Sequence, residues 1–175
     1  MASQRSERLA TSIAQTCTKV KEENQMKLCT LPLEKSSAIA NRYSLGKPNP
    51  YGGKPSKTIL VMGATGSGKT TWINAMINYV LGVEWDDPFR FMLVEENLRG
   101  GSQAHSQTQG VTVYDIHHQN GFRIPFSLTI VDTPGFGDTK GMERDREITL
   151  AVEKFFEHQN GIQVQKLEMN DKHFQ

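Results

Sequence analysis

One segment of eight residues constrains the fold of this chain more than any other. Residues 63–70 read Gly-Ala-Thr-Gly-Ser-Gly-Lys-Thr and fit the phosphate-binding pattern G-x-x-x-x-G-K-[ST] without departure. The glycines allow the backbone to turn several N–H groups towards one anion. An apolar run at residues 59–62 precedes the segment, and apolar residues at helical spacing follow it over residues 72–81. This order predicts a buried strand, a phosphate loop and a helix that stops at Gly82.

The side chains of this segment have expected roles in holding a nucleotide. Lys69 is placed to reach the β- and γ-phosphates, and the Thr70 hydroxyl is a candidate ligand for Mg²⁺. The expected nucleotide-binding residues of this region are Gly63, Ala64, Thr65, Gly66, Ser67, Gly68, Lys69, Thr70 and Thr71. The alternative is a glycine-rich turn with one solvated lysine, and the strand before the turn and the helix after it argue against that alternative.

A carboxylate at the end of a second strand supports the same interpretation. Residues 128–132 read Leu-Thr-Ile-Val-Asp, and Thr-Pro-Gly follows them. An acid at such a position holds Mg²⁺ in P-loop proteins, so we expect Asp132 to hold the metal through water and Gly135 to present its backbone N–H to the γ-phosphate. Taken alone, Asp132 is equally consistent with a turn former at a strand end. Together with the phosphate loop it indicates a metal site.

The sequence around Asp132 resembles known GTPase families. Asp-Thr-Pro-Gly at residues 132–135 is similar to the P-loop GTPases of the translation-factor-related class, and residues 128–138 resemble the septins. The immune-associated nucleotide-binding GTPases share a similar loop. The resemblance covers about residues 58–161. It implies a Ras-like α/β fold, a three-layer sandwich whose mostly parallel sheet contains one antiparallel hairpin strand.

The resemblance also implies an activity and its cofactors. A chain of this class binds GTP and GDP with Mg²⁺ and acts as a nucleoside triphosphate hydrolase. The implied catalytic residues are Lys69, Thr108 and Gly135, and the implied metal ligands are Thr70, Thr108 and Asp132. Thr108 is the first choice for the switch threonine because it precedes the second strand, and Thr112 is the second choice. A surface threonine without a role is the remaining interpretation, since switch loops are irregular.

Two departures from the family pattern bear on function. Phe136 stands where Ras-like enzymes have a glutamine that orients the attacking water, and a phenyl ring cannot do so, which predicts slow intrinsic hydrolysis. No N-K-x-D or T-K-x-D motif follows Gly161, so the choice of guanine over adenine rests on the resemblance alone. The alternative to a slow GTPase switch is a septin-like assembly or interaction module, stabilised by nucleotide, with incidental turnover or none. A remnant that binds no nucleotide is a third interpretation.

By composition the chain divides into three parts. Residues 1–57 contain ten of the 20 Lys and Arg residues and four of the 19 Asp and Glu residues, and a Pro- and Gly-rich cluster ends this part. We expect a basic, largely disordered or helical extension and linker here. Residues 58–161 are expected to form a partial GTPase domain, and residues 162–175 a divergent tail. Because no apolar run follows residue 161, we expect an incomplete sheet whose first strand is open at one edge.

Further elements are predicted between and after the two motifs. Residues 111–116 and 122–131 are rich in strand-forming residues and flank a turn that contains Asn120 and Gly121, which indicates an antiparallel hairpin. The expected order in the sheet is then second strand, third strand, first strand. Residues 142–158 have apolar residues on one helical face and predict a helix. Residues 89–94 are consistent with either a short strand or a buried loop.

Composition narrows the class of protein. Of the 175 residues 37% are hydrophobic and 22% are charged, and the net charge is +1. No apolar run approaches the ~20 residues of a membrane helix, and no secretory signal is visible. Cys17 and Cys29 are too few for a disulfide framework. We therefore expect a reduced, cytoplasmic protein without a transmembrane segment or a specific nucleic-acid signal, whose partners are a guanine nucleotide and either a second copy or another protein.

Overall fold

The computed structural model describes residues 8–17, 20–37, 41–50, 53–94, 110–136, 141–157 and 164–168. The helices in this part of the chain are α1 (Leu9–Thr16), α2 (Lys69–Val80) and α3 (Gly141–Glu157). The strands are β1 (Val20–Glu23), β2 (Met26–Thr30), β3 (Glu34–Lys35), β4 (Arg42–Leu45), β5 (Ser56–Met62), β6 (Phe89–Met92), β7 (Thr112–Ile116), β8 (Ser127–Asp132) and β9 (Val164–Glu168). None of the three helices has the length and apolar content needed to cross a bilayer.

A six-stranded sheet contains the strand that leads into the phosphate loop. Its order is β3-β4-β7-β8-β5-β9. The pairs β4–β7, β5–β8 and β5–β9 are parallel, whereas β7–β8 and β3–β4 are antiparallel. The predicted α/β class and the predicted hairpin are confirmed, and so is the strand order, since β7, β8 and β5 are the second, third and first strands of the prediction. The pair β3–β4 adds a second antiparallel pair to the one expected.

The strand β5 is covered on both faces, as its apolar sequence predicts. Leu60 and Val61 point to opposite faces because side chains alternate along a strand, and both are buried. Val61 belongs to an apolar cluster that includes Ile73 and Ile77 of α2, both fully buried. The stripe predicted along α2 therefore packs on the sheet, and the helix ends as expected before Gly82, which has a left-handed φ of +79°.

A second sheet, of order β1-β2-β6, is attached to α2 by two asparagine side chains. β6 pairs with β2 along one edge. Towards its other edge, the Asn78 amide accepts a hydrogen bond from Phe91 N at 2.8 Å and donates one to Phe91 O at 2.7 Å. Asn74 accepts from Leu93 N at 2.8 Å and donates to Val94 O at 3.1 Å. The two amides substitute for a neighbouring strand, because each supplies a donor and an acceptor to the main chain.

The first strand of the predicted domain, β5, has neighbours on both edges, which corrects the expectation that it is open at one edge. β9 pairs in parallel with β5, with Val164 opposite Thr58 and Glu168 opposite Met62. Residues 164–168 read Val-Gln-Lys-Leu-Glu, which alternates and contains no apolar run. An alternating pattern suits a strand at the end of a sheet, and β9 is the last strand of the described sheet. The strand β9 therefore has no continuous apolar run that would mark it in the sequence.

The segment before β5 contains four strands, which corrects the expectation of a largely disordered or helical arm for its described residues. β2 pairs with β6 and β4 with β7, so their partners lie far along the chain. β1 is exposed throughout, and no apolar run marks any of the four. The helical part is α1, and the side chain of Arg8, just before it, donates to both carboxylate oxygens of Asp87, at 2.5 and 3.1 Å.

The remaining elements lie close to their predicted positions. The predicted helix at residues 142–158 is α3, and the undecided residues 89–94 contain the strand β6. The second strand of the hairpin begins at Ser127 and not at residue 122. Pro125 lies within residues 122–126, which are not part of the strand, and it lacks the N–H group that a paired strand residue donates.

Candidate functional site

The phosphate loop joins β5 to α2 through two glycines in a left-handed conformation. Gly66 has a φ of +80° and Gly68 a φ of +81°. A Cβ atom at either position would meet no atom within 4 Å, so the backbone angle and not the available space favours glycine here. Gly68 directly precedes α2, whose first N–H groups have no partner within the helix. The loop therefore ends at a helix N-terminus, where the backbone favours an anion.

Lys69, the first residue of α2, lies across this loop. It is only 9% exposed, and its Nζ donates to the carbonyl oxygens of Gly63 at 3.0 Å and Ala64 at 2.9 Å. Burial lowers the pKa of Lys69, and the negative charge of Asp132 acts in the opposite direction. A buried ammonium group held by neutral carbonyls is electrostatically suited to an anionic ligand.

Asp132 lies at the end of β8, beside the loop. It is 1% exposed and is in register with Val61 of β5 on one side and with Thr112 of β7 on the other. The next residue, Thr133, donates both its hydroxyl and its N–H to the Val61 carbonyl, at 2.9 and 3.3 Å. These bonds hold the carboxyl end of β8 against that of β5. Burial and then the charge of Asp132 raise the pKa of Tyr114, so this phenol stays neutral.

The residues after Thr133 are joined to the phosphate loop by backbone hydrogen bonds. Phe136 N donates to Gly63 O at 3.2 Å, and Thr65 N donates to Phe136 O at 3.2 Å. Gly135, which is buried, faces the main chain of Thr65 so closely that a side chain at residue 135 would not fit. The Gly63 carbonyl accepts from both Lys69 and Phe136 and so connects the D-T-P-G segment to the buried ammonium group.

Two buried hydroxyl groups of the loop lack a hydrogen-bond partner in the described part of the structure. They are Thr65 Oγ1 and Ser67 Oγ. Buried hydroxyls are bonded in the large majority of cases, so an unbonded pair calls for an explanation. Both belong to the loop that also presents Lys69. A ligand with several acceptor oxygens, such as a polyphosphate, would satisfy both hydroxyls and the ammonium group together.

The residues near Asp132 fit Mg²⁺ in combination with a nucleotide. The described residues contain no group of three or more His, Cys, Asp and Glu side chains that could hold a metal ion. Mg²⁺ commonly takes few protein ligands and completes its shell with phosphate oxygens and water. Thr70 in the first turn of α2 and Asp132 at the end of β8 are suited to such a shared shell, because each brings oxygen to the end of the sheet where the loop lies.

The predicted threonines lie in different places. Thr70 is half-buried, and Thr71, one residue further along α2, is exposed. Thr108, the first choice for the switch threonine, lies outside the described residues. Thr112, the second choice, is half-buried at the start of β7 and lies opposite Asp132.

The sequence patterns assign no role to three residues that support the site. Thr133 anchors the D-T-P-G segment, and Asn74 and Asn78 fix the second sheet to the helix of the loop. The one available signal is their polarity, since each is a polar residue next to buried ones. Polarity alone does not distinguish such residues from solvated ones.

The family model for septins matches residues 55–172, which is more than half of the chain. The chain belongs to the septin family. The septin match includes the phosphate loop and the D-T-P-G segment, and it extends past β9. A search for relatives among curated proteins gives no match.

Membership of the septin family decides between the two resemblances of the sequence. The septin domain is a Ras-like P-loop domain of the α/β class, and septins are guanine-nucleotide-binding proteins that associate with one another. The arrangement of β5, the loop, α2 and β8 in this chain agrees with that class. This chain departs from the Ras-like pattern at Phe136, which stands where that pattern has a glutamine.

Proposed function

We propose that this septin domain binds GTP together with Mg²⁺ and hydrolyses it slowly to GDP. The observation that carries the proposal is the buried ammonium group of Lys69, in a loop where the Thr65 and Ser67 hydroxyls lack partners among the described residues. The terminal phosphates of a nucleotide would supply the negative charge and the acceptor oxygens that these groups require. A cytoplasmic location belongs to the same proposal.

Each group of the site has a role in this proposal. Lys69 contacts the β- and γ-phosphates, and Thr70 and Asp132 hold Mg²⁺, Asp132 through water. The metal, when bound, neutralises negative charge on the phosphates. Gly135 brings the main chain of the D-T-P-G segment to the γ-phosphate, and Thr108 remains the candidate switch threonine. The choice of guanine follows from septin membership, because the chain has no N-K-x-D or T-K-x-D motif.

Slow turnover is proposed because of Phe136. Its side chain carries no amide, carboxylate or imidazole with which to orient a water molecule. Its main chain is bonded to both Gly63 and Thr65, so the residue lies directly against the phosphate loop. Gly135, the residue that this proposal places nearest the γ-phosphate, is thus followed by an apolar side chain.

The same contacts favour a second candidate, a septin-like assembly module with incidental turnover or none. In that case the nucleotide serves to hold the loop and the D-T-P-G segment in one arrangement, which a partner surface then recognises. Such an arrangement would keep the hydrogen bonds that join Phe136 to Gly63 and to Thr65. The two candidates differ in whether the addition of nucleotide changes the mass of the assembly that the protein forms in solution.

Titration with a fluorescent GTP analogue in the presence of Mg²⁺ tests the first proposal. Lys69→Met keeps an unbranched side chain but removes the charge, so affinity should fall at least about 100-fold. Lys57→Met, on the strand β5 that leads into the loop, is the matched control, because Lys57 is exposed and lies over the ring of Phe126. Unchanged affinity in a folded Lys69→Met protein would overturn the proposal. Competition by unlabelled GTP and ATP measures base choice, and light scattering with and without GTP measures assembly.

A further inference from the structure

Two cysteine side chains meet where α1 approaches β2, outside the nucleotide site. Cys17 directly follows α1, and Cys29 lies within β2. The Cys17 Sγ donates to the Thr30 carbonyl at 3.1 Å and therefore reaches the residue next to Cys29. Because Thr30 directly follows Cys29 in β2, this contact brings the Cys17 thiol to the segment that contains Cys29. Cys29 belongs to the buried apolar cluster and is 1% exposed, and Cys17, which is half-buried, packs against the same cluster.

The environments of the two thiols differ in a way that gives them different chemistry. Burial raises the pKa of the Cys29 thiol to about 11, and the neighbouring Cys17 thiol acts in the same direction. Cys29 is therefore protonated and shielded at neutral pH, whereas Cys17 is open to a small oxidant. An oxidant meets Cys17 first, and Cys29 lies where a resolving thiol has to lie.

We propose that Cys17 and Cys29 form an oxidation site that closes to an intramolecular disulfide on exposure to hydrogen peroxide. The Cys17 sulfur attacks one peroxide oxygen, the O–O bond breaks, and Cys17 becomes a sulfenic acid while water leaves. The Cys29 sulfur then attacks the Cys17 sulfur, the S–O bond breaks, and the hydroxyl group leaves as a second water with the Cys29 proton. The two thiols are oxidised and one peroxide is reduced.

The disulfide would link two segments that are otherwise held by non-covalent contacts. α1 is held by the bonds from Arg8 to Asp87, and β2 is held by its pairing with β6. A covalent link between them reduces the conformational freedom of the unfolded chain, so the midpoint of thermal unfolding should rise by about 5–10 °C. This inference does not depend on nucleotide binding.

Intact-mass measurement after oxidation of the full chain tests the proposal. The folded protein is treated with hydrogen peroxide, denatured, and its remaining thiols are labelled with N-ethylmaleimide. Because the sequence contains two cysteines, a monomer that takes no label and is lighter by two hydrogen atoms contains the Cys17–Cys29 disulfide. Two labels on each chain, or a disulfide between two chains only, would overturn the proposal.

The variant Cys17→Ser is the matched control, because serine retains a donor for the Thr30 carbonyl. It should take one label after oxidation, and its unfolding midpoint should not rise. The protein without substitutions is then equilibrated in a glutathione buffer, once folded and once unfolded in urea. The equilibrium constant for formation of the disulfide should be at least about tenfold larger in the folded protein. Equal disulfide fractions in the two conditions would contradict the proposal, since the fold would then not hold the thiols together.

Discussion

A Cβ atom on Gly135 would lie 2.6 Å from the Cα atom of Thr65 and 2.7 Å from its N atom. Carbon atoms that are not bonded to each other pack at about 3.5–4.0 Å. Because both of these Thr65 atoms belong to the main chain, no change of rotamer relieves the contact. The D-T-P-G segment and the phosphate loop therefore fit together only while residue 135 has no side chain.

We expect Gly135→Ala to separate these two segments and to lower the free energy of unfolding by about 1–3 kcal/mol. Affinity for GTP should fall as well, because the added methyl group in this variant would strain the hydrogen bonds that join Phe136 to the loop. Thr65→Ala shortens the side chain but leaves the Thr65 Cα and N in place, so the double variant should remain as unstable as Gly135→Ala. Urea denaturation of the three variants measures this. Rescue by Thr65→Ala would mean that the Thr65 side chain, and not its main chain, is the obstacle.

The role proposed for Asp132 predicts a difference between nucleotides. Asp132→Asn should weaken binding of GTP more than binding of GDP in the presence of Mg²⁺, because a bound metal would neutralise the charge of the γ-phosphate, which GDP lacks. Titrations of both nucleotides, with and without a chelator, measure the effect. With the metal removed, the variant and the protein without substitutions should have similar affinities for each nucleotide. Equal losses for GTP and GDP would assign the residue to the structure of the strand end.

The position of Phe136 predicts that its side chain contributes nothing to the chemical step. Phe136→Gln should not reduce single-turnover GTP hydrolysis, and an increase is the expected direction, because an amide is able to orient water. The main-chain bonds to Gly63 and Thr65 do not involve the side chain, so they persist in the variant. Phe136→Ala is the control. A large loss in both variants would show that the ring itself organises the site.

The amide of Asn78 predicts a stability effect away from the nucleotide. Asn78→Ala leaves the N–H and C=O of Phe91 without these partners, in a residue that is 1% exposed. The free energy of unfolding should fall by about 2–4 kcal/mol. Asn120→Ala, in an exposed turn, is the control and should change it by less than about 0.5 kcal/mol. Similar values for the two variants in urea denaturation would show that the amide is not required at the edge of β6.

The contact between Arg8 and Asp87 predicts a dependence of stability on pH. Hydrogen bonds from the Arg8 guanidinium hold the pKa of Asp87 below its ordinary value, and Glu84 N adds a bond at 2.8 Å. A carboxyl group whose pKa is lower in the folded than in the unfolded state stabilises the fold above the unfolded pKa. This contribution is lost as pH falls through the folded pKa.

The unmodified sequence should therefore be more stable than Asp87→Asn at neutral pH, and the difference should shrink below about pH 4. Urea denaturation at several pH values measures it. Asp86→Asn, at the exposed neighbouring position, should show no such convergence. A difference that stays constant with pH would show that the charge of Asp87 is not the stabilising feature.

The central part of the fold could be predicted because its signals are local. The glycines at residues 66 and 68 and the lysine that follows them identify the loop, and the apolar spacing along residues 72–81 identifies α2. The hairpin and the order of β7, β8 and β5 follow from the turn residues and from the resemblance. In each case a short stretch of sequence contains the chemical reason for its own conformation.

The strands that the prediction overlooked depend on partners remote in sequence. β2 and β4 have no apolar run of their own and are strands because β6 and β7 offer them an edge. β9 alternates between polar and apolar residues and is a strand because β5 has an edge to fill. Backbone N–H and C=O groups of these segments have their partners on strands that are remote in the sequence.

Local sequence patterns specify the residues of the candidate site: a phosphate loop, a carboxylate at a strand end and a phenylalanine in place of a glutamine. The way in which these parts are held together depends on the three-dimensional packing of the chain. The approach of Gly135 to Thr65, the bond from Thr133 to Val61 and the bond from Cys17 to Thr30 each join segments that are far apart in sequence or differ in secondary structure. Contacts of this kind depend on the packing of whole elements, and no local pattern in the sequence specifies them.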